Sequence, residues 1–242
     1  MGGKTSSSGA KTTLVLAATG VLLLATAAVV WFKIRPGRPY VAAGSHELSR
    51  AELDRLALSR MSNAVVRGII QPKDVHSPEV FEKYREETAR LWIFRMVLLD
   101  EAVRCGYKAS PADEKRAKDG LEQALRRLGK QASADEYFKC GTLPENEMRE
   151  RFREDVLIHM LLREEVESKI APPSEAEIEQ LRKIRATGGA VPDRREIETE
   201  IRRERYLIAL RAFYLKLLKS TSVYPAELAP AEPPAQFGGI SP

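Results

Sequence analysis

The chain of 242 residues is 43% hydrophobic and 30% charged, enough for one membrane anchor and one or at most two small domains. An aromatic content of 7% and the lack of alternating β-branched runs point away from a sheet-rich fold and towards helices. The net charge of +5 invites a nucleic-acid reading and its distribution removes it: Lys4, Lys11, Lys33, Arg35 and Arg38 flank an apolar segment, and beyond them 34 basic residues face 34 acidic ones.

Residues 12–32, TTLVLAATGVLLLATAAVVWF, are 21 residues without a charge. At 1.5 Å per residue such a helix spans a hydrocarbon core of about 30 Å. Trp31, Phe32 and Lys33 then supply an interface. A cleaved signal peptide is the rival reading, because Lys4 and Lys11 form a basic leader, but the length of the apolar run favours an uncleaved anchor. The predicted layout is a cytoplasmic stretch at residues 1–11, a single transmembrane span at 12–32 and a linker at 33–39 stiffened by Pro36 and Pro39. A helical domain at 40–225 follows, facing the periplasm or cell exterior from the inner membrane. Lys4, Lys11 and the terminal amine face Lys33, Arg35 and Arg38 across the span, three charges against three, so charge alone does not set its direction.

After a short strand at Tyr40–Ala43, helix starts recur. Ser49 with Glu52 forms a capping box and opens a helix to about Val65. Ser77-Pro78 opens a second that stops at Gly106, and Ser110-Pro111 a third closed by Gly129. Ser133 with Glu136 starts a short helix ending near Cys140. Pro144 opens a long one to about Ile170, halted by Pro172-Pro173. Ser174 with Glu177 begins the next, fading at Gly188-Gly189, and Asp193 with Glu196 begins the last, to Lys219. Residues 226–242, rich in Pro, Ala and Gly, read as a disordered tail. The fold class is therefore all-α with a minor two-strand β element.

Apolar spacing gives the buried faces. Phe81, Tyr84, Thr88, Leu91, Arg95, Leu98 and Ala102 share one stripe of the second helix. Leu207, Leu210, Tyr214, Leu217 and Leu218 share one in the last. Residues 91–99 and 156–162 are apolar on more than one side, which suits either a central helix or a partly exposed groove.

No catalytic constellation stands out. His46, His76 and His159 are far apart and in no HExxH spacing, and His159 reads as a packed or edge residue. There is no GxSxG elbow, no Walker loop and no GxGxxG after a strand. Neither a cofactor, a metal ion nor a small-molecule substrate is expected. Cys105 and Cys140, each followed by glycine, read as small buried or half-buried residues at helix ends, with a disulfide left open.

The order of these signals resembles the N-terminal chaperone domain of SurA-type and PpiD-type periplasmic folding factors, with PrsA as a related case. Val41 to Leu53 is similar to the opening strand, turn and capped helix. Leu98-Leu99-Asp100-Glu101-Ala102, followed by Gly106 and Ser110, matches a helix ending of that domain. Phe138 with residues 143–165 resembles the segment that follows, and Ile170 to Ile178 the lead into a parvulin-type prolyl isomerase domain. That domain has no room here, since only about twenty residues separate Ile170 from Asp193. The last helix resembles the one that returns to the chaperone domain, with Ser222-Val223-Tyr224 able to pair with the first strand. The resemblance implies a membrane-tethered holder of unfolded or newly exported polypeptides, without isomerase catalysis. Trp92, Phe94, Met148, Phe152 and Met160 are the candidate client-contacting residues. A second reading is a membrane-tethered scaffold that binds one folded partner of an envelope complex.

Overall fold

The computed structural model describes residues 39–127, 129–130, 132–186 and 193–233. The expected span at 12–32 and its flanks lie outside the described residues. Among the described residues no helix is long and apolar enough to cross a membrane.

The body opens with a hairpin. β1 (Val41–Ala43) pairs antiparallel with β2 (His46–Leu48) across a two-residue turn at Gly44-Ser45. Gly44 has φ +59°, and a Cβ there would stand 1.9 Å from an Asp100 carboxylate oxygen. Only glycine fits that position. Near the far end of the chain β3 (Val223–Tyr224) pairs with the other edge of β1, giving the order β2-β1-β3. Three strands thus replace the expected two, because the tight turn lets residues 46–48 fold back on 41–43.

Seven helices follow among the described residues: α1 (Arg50–Val66), α2 (Pro78–Arg104), α3 (Pro111–Arg127), α4 (Ala134–Lys139), α5 (Glu145–Glu165), α6 (Glu175–Ala186) and α7 (Arg194–Leu218). Their starts are set by the caps visible in the sequence. Ser49 and Glu52, and likewise Ser133 and Glu136, exchange side-chain and backbone hydrogen bonds at the N-termini of α1 and α4. Gly106 (φ +77°) ends α2, where the Tyr107 N–H reaches back to the Ala102 carbonyl at 3.1 Å. α5 stops at Glu165, short of the expected Ile170, and a 3-10 turn at Glu167–Lys169 covers the difference.

α2 is the central helix. Between Thr88 and Ala102 it is buried on nearly every side, packed by α1, α5, α7 and β1. Leu53, Leu56, Phe94, Leu98, Leu161, Leu210 and Tyr214 belong to this core. The all-round apolar run at 91–99 is therefore the middle of the bundle and not the wall of a groove. One cation bridges α2 and α5: Arg95 donates to Glu154 (2.6 Å), Asp155 (2.9 Å) and the Arg151 carbonyl (2.8 Å). Burial alone pushes the Arg95 guanidinium down, but Asp155 and Glu154 outweigh it and hold it above its ordinary value.

α6 and the first half of α7 form an arm. Ile178 and Ile197, each the fourth residue of its helix, are buried outside the main core, whereas Leu210, Tyr214 and Leu217 of α7 join the body. Arg205 ties the base of the arm, donating to the carbonyls of Ala171 (2.7 Å) and Pro172 (3.1 Å) and to Glu177.

The beginning of the expected disordered tail is ordered. A 3-10 turn covers Ala226–Leu228, Leu228 packs against the core and Pro230 is buried. Composition concealed this, because two apolar contacts suffice to fix a short segment already held by β3. The rest of that expectation, residues 234–242, lies outside the described residues.

Candidate functional site

The five candidate contact residues do not form one surface. Trp92 (9% exposed) and Phe94 (0%) are core residues, and Phe94 packs on Tyr214 with ring centroids 4.6 Å apart and the planes tilted by 49°. Both therefore lie inside the bundle and not on a solvent-facing surface, unlike the exposed contact positions expected of them. Met148, Phe152 and Met160 are half-buried on α5. Phe152 lies 5.2 Å from Phe138 and Met148 lies against Gly141, so both close the corner between α4 and α5. Arg149 caps that corner by lying 5.1 Å over the Phe138 ring.

The apolar side chains that do face solvent are elsewhere. Val66 (76%) and Ile69 (66%) stand at the end of α1 and the turn beyond it, and Leu58 (49%) at the middle of that helix. Leu207 (37%) and Ile208 (63%) stand on α7, where the expected buried stripe fails at its first member. Ion pairs stud the surface as well, as in Arg90–Glu86 and Lys169–Glu165, both at 2.6 Å. The patch at Val66 and Ile69 was not anticipated, because the sequence pattern ends the helix at about Val65 and assigns no role to the residues just beyond it. The arrangement of a glycine between two apolar pairs was the available signal.

A cleft of about 430 Å³ lies beside Tyr40, where the body begins. Leu53 and Ala89 give it an apolar floor, and Glu82, Lys83, Arg85 and Glu86 a charged rim. The guanidinium groups of Arg50 and Arg85 each lie 5.8 Å from the Tyr40 ring, holding it as one wall. Leu228, from the segment read as disordered, supplies another wall, which is why the cleft was invisible in the sequence. Its size admits one large side chain.

Ser45, His46 and Asp100 come together, yet not as a nucleophilic arrangement. The Ser45 hydroxyl donates to Asp100 at 3.2 Å and His46 Nε2 lies 2.9 Å from the same carboxylate oxygen. Asp100 therefore occupies both groups, fastening the hairpin turn to α2. Among the described residues no three His, Cys, Asp or Glu side chains converge as metal ligands. His159 is exposed on α5. Cys105 and Cys140 are free and exposed, contrary to the expectation of burial, since each caps a helix end that points outward.

No family model, curated protein or solved structure matches this chain. The likeness to the SurA-type chaperone domain thus rests on the quoted residues alone.

Proposed function

We propose that the chain is a membrane-anchored holder of unfolded or newly exported polypeptides that performs no prolyl isomerase catalysis. Residues 12–32 anchor it in the inner membrane, with the body on the periplasmic or outer side. The observation that carries this reading is the distribution of exposed apolar side chains. They are scattered over the body in small patches, at Leu58, at Val66 and Ile69, at Val103, at Tyr137, at Ile184, at Leu207 and Ile208 and at Tyr40 and Tyr224. A site for one folded partner concentrates its apolar area in a single patch backed by a well-packed centre. An extended chain can instead touch several small patches through side chains spaced along it. Reversible binding follows, because each patch alone contributes little and only their sum retains the client.

The test is suppression of aggregation of two unrelated unfolded proteins by residues 39–242, with prolyl isomerase activity assayed alongside. Suppression of both, weakened by Val66→Ser with Ile69→Ser, is the expected outcome, with no isomerase activity. Failure on both clients sinks the reading and favours the single-partner scaffold, as does capture of one folded envelope protein at high affinity.

A further inference from the structure

The charges around the Tyr40 cleft can be matched pair by pair. Arg85, whose side chain is 12% exposed, donates to Asp54 at 3.4 Å and to Glu82. Its guanidinium also lies 5.8 Å from the Tyr40 ring and 5.7 Å from the Phe81 ring, so every face of it is engaged. Glu86 takes Arg90 at 2.6 Å, and Asp54 takes Arg50 at 3.9 Å as its second cation. Both carboxylates of the rim, Glu82 and Glu86, are thus satisfied by arginines of the same helix. Glu87 pairs with Arg60 at 3.8 Å, and Glu79 stands in the first turn of α2, where the helix dipole favours an acid. Lys83 is different. It lines the same rim, is exposed, and has no ion pair with the described residues.

The shape of the cleft and this one spare cation together define an occupant. Leu53 and Ala89 are buried at its floor, and a volume of about 430 Å³ accepts one large apolar side chain. The rest of a bound chain has to pass over the rim, where its next residue meets Lys83. A carboxylate there finds an unclaimed ammonium group, whereas a lysine is repelled by it. An exposed pair of this kind adds little affinity but separates one sequence from another.

We propose that the Tyr40 cleft takes a large apolar side chain of a polypeptide whose adjoining residue is acidic, with Lys83 as the partner of that carboxylate. The proposal rests on the reading of the body as a polypeptide binder and adds a sequence preference to it. Aggregation suppression judges that reading, and short peptides judge the preference.

The probe is the capped peptide acetyl-Gly-Ser-benzoylphenylalanine-Asp-Gly-Ser-amide, photo-crosslinked to the full-length chain at low ionic strength beside versions with Asn or Lys in place of Asp. The Asp peptide should attach to the segments containing Tyr40, Leu53 and Ala89, with about three times the yield of the Asn peptide and the Lys peptide lowest. Molar salt should erase this order and leave the attachment itself. Lys83→Glu, at an exposed position, should reverse the order with the circular dichroism spectrum unchanged, whereas Lys130→Glu, outside the cleft, should leave it intact. Attachment away from the cleft, equal yields for the three peptides, or an order indifferent to Lys83→Glu or to salt overturns the proposal. If the chain suppresses aggregation while the peptides show no such order, the preference alone is lost.

Discussion

Tyr214 is fully buried against Phe94, and its hydroxyl has no hydrogen-bonding partner among the described residues. Burial drives its pKa upward, so the oxygen stays protonated and carries a desolvation cost that nothing offsets. Tyr214→Phe keeps the ring and removes that oxygen, and should stabilise the body by about 1 kcal/mol. The reading is a higher urea midpoint with the slope unchanged; a lower midpoint would mean that the hydroxyl is held by a partner. Phe94 and Trp92 make the companion point about side chains. The sequence shows a large aromatic in an apolar run, and that pattern is the same for a core wedge and for a binding surface. Position within the bundle decides, and it depends on α5 and α7, more than fifty and a hundred residues further along.

At the scale of the helix, the base of the arm depends on one carboxylate. Hydrogen bonds from Ser174, then the Arg205 guanidinium, lower the Glu177 pKa from 4.5 to about 2. A depressed carboxylate contributes its stabilisation above the ordinary value and loses it as pH falls through the folded one. The difference in urea midpoint between the parent and Glu177→Gln should be full above pH 4.5 and shrink towards pH 2. A difference constant across that window would show that Arg205 draws nothing from the charge. Helix starts were legible throughout because capping is local: Ser49 with Glu52, Ser133 with Glu136 and Ser174 with Glu177 each need only four consecutive residues. What was hidden is non-local. Leu228 becomes a wall of the Tyr40 cleft only after β3 has returned to β1, and Leu207 lies on the predicted stripe but beyond the point where α7 leaves the body.

For the molecule as a whole, apolar burial is uneven. α2 contributes ten buried residues, α3 only Leu125 and α6 only Ile178. Local opening is cheapest where burial is sparse. Native-state hydrogen exchange should therefore find α6 and α3 opening in subglobal events, with residues 92–102 exchanging only on global unfolding. Equal protection in α6 and α2 would show that the arm is not an independent unit. The three-stranded sheet adds a mechanical consequence. β1 and β3 are antiparallel, with Ala42 opposite Tyr224 and Ala43 opposite Val223. The chain enters β1 and leaves β3 at the same end of this ribbon. Tension between Tyr40 and Pro225 thus loads the Ala42–Tyr224 pair first and the next pair only after it yields. The ribbon peels like a zip instead of resisting in shear, so a pull on the two ends releases β3 at low force while α2 is still enclosed.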